Sequence, residues 1–305
     1  MSVMELRQLR SFVVVAEELN VGRAAVRLHL TQPSLSRQIA ALERDIGVEL
    51  FARIKKRFVL TAAGATFLAE AQDLLRRSEE AVRAAQRTQR GELGTLRLRF
   101  VQSATFEALP RLLGAFRTAY PEVVLDLETL TTLRQTEALR DGRIDVGLLR
   151  PSAPSAEPAD EKAAVQLAPG LSSRVVSSDP VLVALPARHR LARRKRLRLA
   201  ELGGEPFVFY NRPSGPVVHD TLIGFCRAAG FTPRIEQEAA DVQTIVSLVA
   251  AGIGISLLIG PTPPSNPNSV VYRELSDDLP LWQLCVAWSP DNRSPVLARF
   301  LEILD

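Results

Sequence analysis

Between residues 31 and 38 the chain gathers Thr31, Gln32, Ser34, Ser36, Arg37 and Gln38 around Pro33. Short hydroxyls and forked amide or guanidinium donors at that density suit hydrogen bonding to base edges and phosphate oxygens. Further on, Arg53, Lys55, Lys56 and Arg57 lie between the apolar pairs Leu50-Phe51 and Phe58-Val59. A basic tip on apolar arms is placed to neutralise backbone phosphates or to enter a minor groove. Arg23, upstream of both groups, is counted with them as a further cation for DNA.

Positioning these side chains falls to a helix pair and a wing. Over residues 4–19 apolar side chains recur at Leu6, Leu9, Phe12, Val13, Ala16 and Leu19, spacings that give one buried helical face. Asn20 is a good N-cap for a two-turn helix over residues 21–28, whose Ala24 and Ala25 permit close approach. Thr31 is a second N-cap, and Pro33 sits in the first turn, where a missing N–H costs nothing. Leu35, Ile39 and Leu42 then face inward and leave the polar residues outside, with a stop near Gly47. The expected unit is a winged helix-turn-helix over residues 1–61.

Charge supports a nucleic-acid partner at that end. Residues 1–90 hold 15 Lys+Arg against 10 Asp+Glu, a net of +5. The remainder of the 38 basic and 34 acidic residues is 23 against 24, a net of −1. The chain has 305 residues, 46% hydrophobic and 24% charged, which fits a soluble globular protein of two or three domains. No run of 18 apolar residues and no basic leader feeding an apolar stretch occurs, so a cytoplasmic protein without membrane contact is expected. Cys226, Cys285, His29, His189 and His219 have no metal or disulfide spacing, and neither a cofactor nor a metal is expected.

Thr61 opens a proline-free helical segment over residues 62–90, about 40 Å long at the α-helical rise. Phe67, Leu68, Ala71, Leu74, Leu75, Val82 and Ala85 form its near-heptad stripe. Either the chain's own next domain or a second copy of the helix covers it. Gly91 and Gly94 mark the hinge into the remaining region, residues 91–305, which the resemblance described below implies to be an effector domain.

From residue 95 the pattern becomes βαβαβ, which implies a parallel sheet with a ligand at the carboxyl ends of its strands. Ser103 and Thr132 open helices there and either supply an anion site with the free N–H groups or act as plain N-caps. Residues 151–169, rich in Pro, Ala, Ser and Glu, read as a crossover loop. A second α/β unit follows, and the chain returns to the first, giving lobe I at about 91–165 and 268–305 and lobe II at about 166–267. The run Arg193-Arg194-Lys195-Arg196 reads as a solvated loop on the second lobe.

Taken together, Met4-Glu5-Leu6-Arg7-Gln8-Leu9-Arg10-Ser11-Phe12, Ala24-Ala25, the segment from Leu30 through Ile39, Leu42-Glu43, Gly47-Val48-Glu49-Leu50-Phe51 and Leu60-Thr61-Ala62-Ala63-Gly64 resemble the signature of LysR-type transcription regulators. The resemblance implies an α/β protein with an N-terminal all-α winged helix-turn-helix, a long linker helix and a two-lobed effector domain like type 2 periplasmic binding proteins. It also implies promoter double-stranded DNA, a small inducer, RNA polymerase and further copies of the chain, as a dimer or tetramer, as partners. Thr31, Gln32, Pro33, Ser34, Ser36 and Arg37 correspond to the DNA-contacting positions and Arg53 to a wing contact. Gly22 departs from the Ser or Thr usual there.

Within the family, stretches such as Phe100-Val101-Gln102-Ser103 and Gly142-Arg143-Ile144-Asp145-Val146-Gly147 are most similar to regulators of benzoate and muconate catabolism. Ser103, Thr132, Arg150, Pro216, Val218 and Val242 correspond to their inducer pocket, which implies an aromatic acid or dicarboxylate. Val218 stands where those sensors have an aromatic residue, and Ser177 where the benzoate sensor has a second-site arginine. An enzyme or a plain binding module for such an acid is the competing class. Against an enzyme, Gly252-Ile253-Gly254 lacks the third glycine of a dinucleotide loop, and neither a nucleophile elbow nor a Walker loop is present.

Overall fold

The computed structural model describes residues 4–54, 57–150, 169–262 and 268–304. It divides into two compact units between Arg87 and Thr88.

The first unit is built by capping and by one shared apolar core. It contains α1 (Leu6–Glu18), α2 (Val21–Arg27), α3 (Gln32–Ile46), β1 (Phe51–Ile54), β2 (Arg57–Leu60) and the long α4 (Ala62–Gln89). The Asn20 side chain accepts the Arg23 backbone N–H at 3.0 Å and starts α2. Leu9, Phe12 and Val15 of α1 meet Ala24 and Ala25 of α2 and Leu35, Ile39 and Leu42 of α3, all buried. The Phe12 ring lies 5.3 Å from Phe51 and 5.1 Å from Phe67, which ties α1 to both the wing and α4. Strands β1 and β2 are antiparallel, with Ile54 opposite Arg57 at the tip.

Close contact locks the start of α4 to the wing. Thr61 caps the helix, accepting the Gly64 N–H at 2.8 Å while its hydroxyl donates to the Glu49 carbonyl at 2.8 Å. A Cβ on Gly64 would stand 2.0 Å from the Leu50 carbonyl oxygen, so only glycine permits this approach. The apolar stripe on α4 is divided. Ala71 is buried, and Phe67, Leu68 and Leu75 pack on the helix-turn-helix core, whereas Leu74, Val82 and Ala85 are exposed.

Two sheets organise the second unit. The first has the order β4-β3-β5-β13-β6, formed by β3 (Gly94–Phe100), β4 (Val123–Thr129), β5 (Val146–Leu149), β6 (Ser172–Asp179) and β13 (Trp282–Trp288). Strand β3 is parallel to β4 and β5, while β13 is antiparallel to β5 and β6. Helices α5 (Ala108–Ala119), α6 (Thr132–Arg140) and α9 (Pro295–Glu302) accompany this sheet. Leu96, Leu98, Phe116, Leu148, Val286 and Phe300 fill its core.

The second sheet has the order β11-β7-β12-β8, from β7 (Val181–Pro186), β8 (Arg196–Leu197), β11 (Ser256–Ile259) and β12 (Val270–Leu275). The parallel pair β9 (Pro206–Tyr210) and β10 (Arg234–Ala239) joins it through a Phe207 to Ile255 bridge. Helices α7 (Pro216–Ala228) and α8 (Val242–Ala250) follow β9 and β10.

The lobe boundaries read from the sequence need correction. Residues 172–179, expected in lobe II, form β6 and pair with β13 in the first sheet. Residues 270–275, expected in lobe I, form β12 and pair with β7 in the second. The chain therefore crosses between sheets at Pro180 and again between Leu275 and Trp282. Strand pairing across a hundred residues decides this, and local alternation is the same for either sheet. The expected crossover loop at residues 151–168 lies outside the described residues. Among those described, no helix is long and apolar enough to cross a membrane, and no group of three metal-donor side chains occurs.

Candidate functional site

At the first unit, α3 presents the polar face that its spacing predicts. Thr31 caps it, accepting the Ser34 N–H at 3.4 Å, and Pro33 occupies the first turn. Thr31, Gln32, Pro33, Ser36 and Arg37 are exposed and Ser34 is half-buried. Among the described residues, the Arg37 guanidinium makes one hydrogen bond, from Nε to the Pro33 carbonyl at 3.4 Å, and its terminal nitrogens make none. Gln38 behaves differently. Its Oε1 accepts the Ser11 hydroxyl at 2.7 Å, so this amide fastens α3 to α1. Arg23 is exposed but paired with Glu18, at 3.1 Å to the carboxylate and 2.6 Å to the carbonyl.

On the wing, Arg53 is exposed. Lys55 and Lys56 lie outside the described residues, and of Arg57 only the strand position opposite Ile54 is described. The sequence reading did not assign a role to Glu43. Its Oε1 accepts the N–H groups of Leu50 at 2.8 Å and Phe51 at 3.1 Å, so the end of α3 holds the start of the wing. A carboxylate one position after the inward Leu42 was the available signal.

In the second unit the candidate effector residues cluster where parallel strands end. Arg150 follows β5, and its side chain is buried. Its Nε donates to the Ser103 hydroxyl at 3.1 Å, one terminal nitrogen to the Trp282 carbonyl at 3.0 Å, and the other to Asp179 at 2.6 Å and to the Gly260 carbonyl at 3.4 Å. Thr132 sits beside it, donating to the Arg150 carbonyl at 3.2 Å and facing the Arg150 N–H at 3.3 Å. Thus Ser103, Thr132 and Arg150 do come together, around an arginine whose charge is already met by a buried carboxylate. Burial raises the Asp179 carboxyl above its ordinary value, more than Arg150 and the Ser177 hydroxyl at 3.2 Å lower it.

Pro216, Val218 and Val242 belong to the facing lobe. Pro216 is exposed at the start of α7, and Val218 is half-buried against the core behind it. Val242 opens α8 with only 4% exposure, its side chain committed to the core. Asp241, which precedes it, went unassigned in the sequence although its place before an apolar run marks an N-cap. Its carboxylate accepts the Thr244 N–H at 2.8 Å and hydroxyl at 2.7 Å, and the Gln102 side chain of lobe I also favours its charged form. Burial would raise this carboxyl, and those bonds hold it below the ordinary value. Tyr210 closes the strand end nearby, its phenol pushed up by burial.

Helix N-termini complete the cleft. Thr131 at α6 and Gly215 at α7 make no side-chain cap bond, so the first-turn amides of both helices stay available for an anion.

Residues 6–65 match the family described as bacterial regulatory helix-turn-helix protein, lysR family, and residues 89–305 match the LysR substrate binding domain. The chain belongs to the LysR family. The regulator is 37% identical over 300 residues to the HTH-type transcriptional regulator AlsR of Bacillus subtilis, covering 98% of this chain and 95% of that protein. It is 35% identical over 305 residues to the Hca operon transcriptional activator HcaR of Escherichia coli, covering 99% and 97%. Among solved structures it is similar to full-length CbnR complexed with its target DNA, with a TM-score of 0.79, 28% identity and 99% and 98% coverage. The regulator is a DNA-binding transcription factor with an effector domain of the expected fold, and its relatives are named as regulators rather than enzymes.

Its two thiols have no part in this site. Cys226 and Cys285 are free and buried, and burial pushes both thiols up to about 12.

Proposed function

We propose that the regulator reads promoter DNA as a dimer or tetramer through the outer face of α3 and the wing. On this reading the linker and dimerisation helix covers residues 62–90 and the effector domain residues 91–305. A small anion, an aromatic acid or a dicarboxylate, enters the cleft between the two lobes and shifts the population of dimers whose reading helices have the spacing that supports transcription. RNA polymerase is the further partner of that bound state.

The observation that carries the reading is the contrast along α3. Leu35, Ile39 and Leu42 are buried inward, while Gln32, Ser36 and Arg37 stand exposed and lack carboxylate partners among the described residues. The exposed Leu74, Val82 and Ala85 supply an apolar face for a second α4. For the inducer, support comes from the uncapped N-termini of α6 and α7 and from Ser103, whose hydroxyl hydrogen remains free to donate while its oxygen accepts from Arg150. Thr132 contacts a ligand only by releasing the Arg150 backbone, and Val242 shapes the site through its backbone. Aromatic acids and dicarboxylates rest on the resemblance at residues 100–103 and 142–147.

Footprinting of the adjacent promoter, with and without benzoate or muconate, tests both halves. Protection of an interrupted dyad that changes in extent with the acid is the expected result. Unchanged protection by Arg37→Ala would remove α3 from the reading, and an unchanged footprint with every acid of this class would remove the inducer assignment alone.

A further inference from the structure

Away from the cleft, the outer edge of lobe II carries the densest charge in the molecule. Between residues 188 and 198 stand seven cations and no acid: Arg188, Arg190, Arg193, Arg194, Lys195, Arg196 and Arg198. The segment is pinned in place. Leu191, Leu197 and Leu199 are buried in the lobe II core, the Arg194 N–H donates to the Leu191 carbonyl at 3.1 Å, and β8 runs parallel to β12 at the sheet edge. Apolar anchors thus hold the backbone and turn the intervening cations outward.

These cations and the end of β12 enclose an open cavity of ≈570 Å³, lined by residues 193–196 and by Tyr272, Arg273 and Glu274. Five of the seven lining residues are basic and one is acidic. Some of that charge is met: Arg196 pairs with Glu274 at 2.8 Å, and Arg194 pairs with Glu201. Arg193 and Lys195 are exposed and have no ion pair among the described residues. Arg273 is the decisive group. Its guanidinium is half-buried and donates to the Ala192 carbonyl at 3.0 and 2.6 Å and to the Tyr272 carbonyl at 2.6 Å, and it makes no ion pair among the described residues. A guanidinium fixed by carbonyls keeps its full charge and loses little entropy when an anion arrives.

Protection of a sheet edge against pairing accounts for one or two exposed charges on β8. It does not account for a cavity beside them or for a tethered arginine in its wall. A single carboxylate would leave most of the charge unmatched, whereas linked phosphates carry several negative charges and accept forked guanidinium bonds. The exposed pair Arg196 and Glu274 is screened by solvent and can exchange partners with such a ligand.

We propose that this cavity is a second ligand site, distinct from the cleft between the lobes, that takes a small molecule bearing two or three linked phosphates. It stands independently of the inducer assignment above. Promoter DNA is the other source of clustered phosphate, and the experiment separates the two.

Inorganic tripolyphosphate, pyrophosphate and orthophosphate are titrated calorimetrically into the full-length protein and into the double variant Arg193→Ala/Lys195→Ala. Both substituted side chains are exposed and unpaired, and unchanged thermal unfolding confirms the fold. The expected order of affinity is tripolyphosphate, pyrophosphate, orthophosphate, with roughly ten-fold weaker tripolyphosphate binding in the double variant and a steep fall with salt. Arg37→Ala is expected to bind tripolyphosphate as the wild type does. Each of these results would overturn the proposal: no tripolyphosphate binding up to the millimolar range, equal binding by the double variant, or loss of binding in Arg37→Ala, which would place the anion on the DNA-reading face. If the double variant loses promoter affinity by the same factor as tripolyphosphate affinity, the patch serves the DNA backbone and the free-ligand site is rejected.

Discussion

The reading face of α3 and the strand ends of the effector domain are made of the same kinds of side chain, hydroxyls, amides and arginines, in opposite states of satisfaction. Arg37 has one long hydrogen bond, to a carbonyl of its own helix. Arg150 has four partners, and one of them is a buried carboxylate. On the proposed function, the α3 face is preformed and binds DNA by addition. In the cleft polar groups already bind one another, and on the same proposal a ligand enters by exchange. Addition suits a surface that must search along DNA, whereas exchange couples occupancy to the contacts that hold two lobes together.

Breaking Arg150 is the largest test of that contrast. Arg150→Met leaves Asp179 buried without a countercharge, and the expected loss of effector-domain stability is about 3–5 kcal/mol. Denaturant unfolding measures it, and a change below about 1 kcal/mol would show that the network is not holding the fold. At the other pole, Arg37→Ala is expected to weaken promoter binding by about 1–3 kcal/mol with an unchanged melting temperature. A loss of stability in that variant would mean that the reading face is not held in reserve.

Gln38 sharpens the boundary between the two states. Because its amide binds Ser11, Gln38→Ala is expected to cost about 1 kcal/mol of folding stability and to leave base-pair preference unaltered. Selection of binding sites from a randomised pool checks the second half, and an altered preference would return Gln38 to the reading face.

The smallest expected effect lies in acid. Burial alone would raise the Asp145 carboxyl, but the Arg97 side chain and backbone and Asn292 hold it below its ordinary value. Its stabilising contribution is therefore complete above the unfolded carboxylate range and disappears as pH falls through the lower folded value. Asp179 has the opposite sign, since its raised carboxyl loses stability as pH rises through the folded value. Asp145→Asn should flatten the acid limb of stability against pH, followed by circular dichroism. A limb as steep as that of the wild type would assign the acid dependence elsewhere.

Much of the reading end was legible because its determinants are local. Asn20 and Thr31 cap α2 and α3 through backbone groups three residues on, and a helical period places Leu35, Ile39 and Leu42 inward. The same period carried the Gln38 signal: at about 100° per residue it lies roughly 40–60° from the directions of Leu35 and Leu42, on the border of the buried face. The effector end was legible only in outline. Ser103, Thr132 and Arg150 lie together, but their mutual satisfaction depends on Asp179, Trp282 and Gly260, which are 29 to 132 residues from Arg150 in the chain. Nor does any local pattern say that β6 and β12 exchange sheets, because alternation marks a strand without naming its neighbour.

That exchange also orders events on the ribosome. Strand β13 lies in the interior of the first sheet, between β5 and β6, yet it begins only at Trp282. All four strands of the second sheet precede it in the chain. A nascent chain can therefore close lobe II while lobe I still has a vacant central position, with β5 and β6 presenting unpaired edges. Strand β13 and α9 are therefore the pieces that complete the lobe to which Ser103 belongs, and the Arg150 contact with the Trp282 carbonyl cannot form before them.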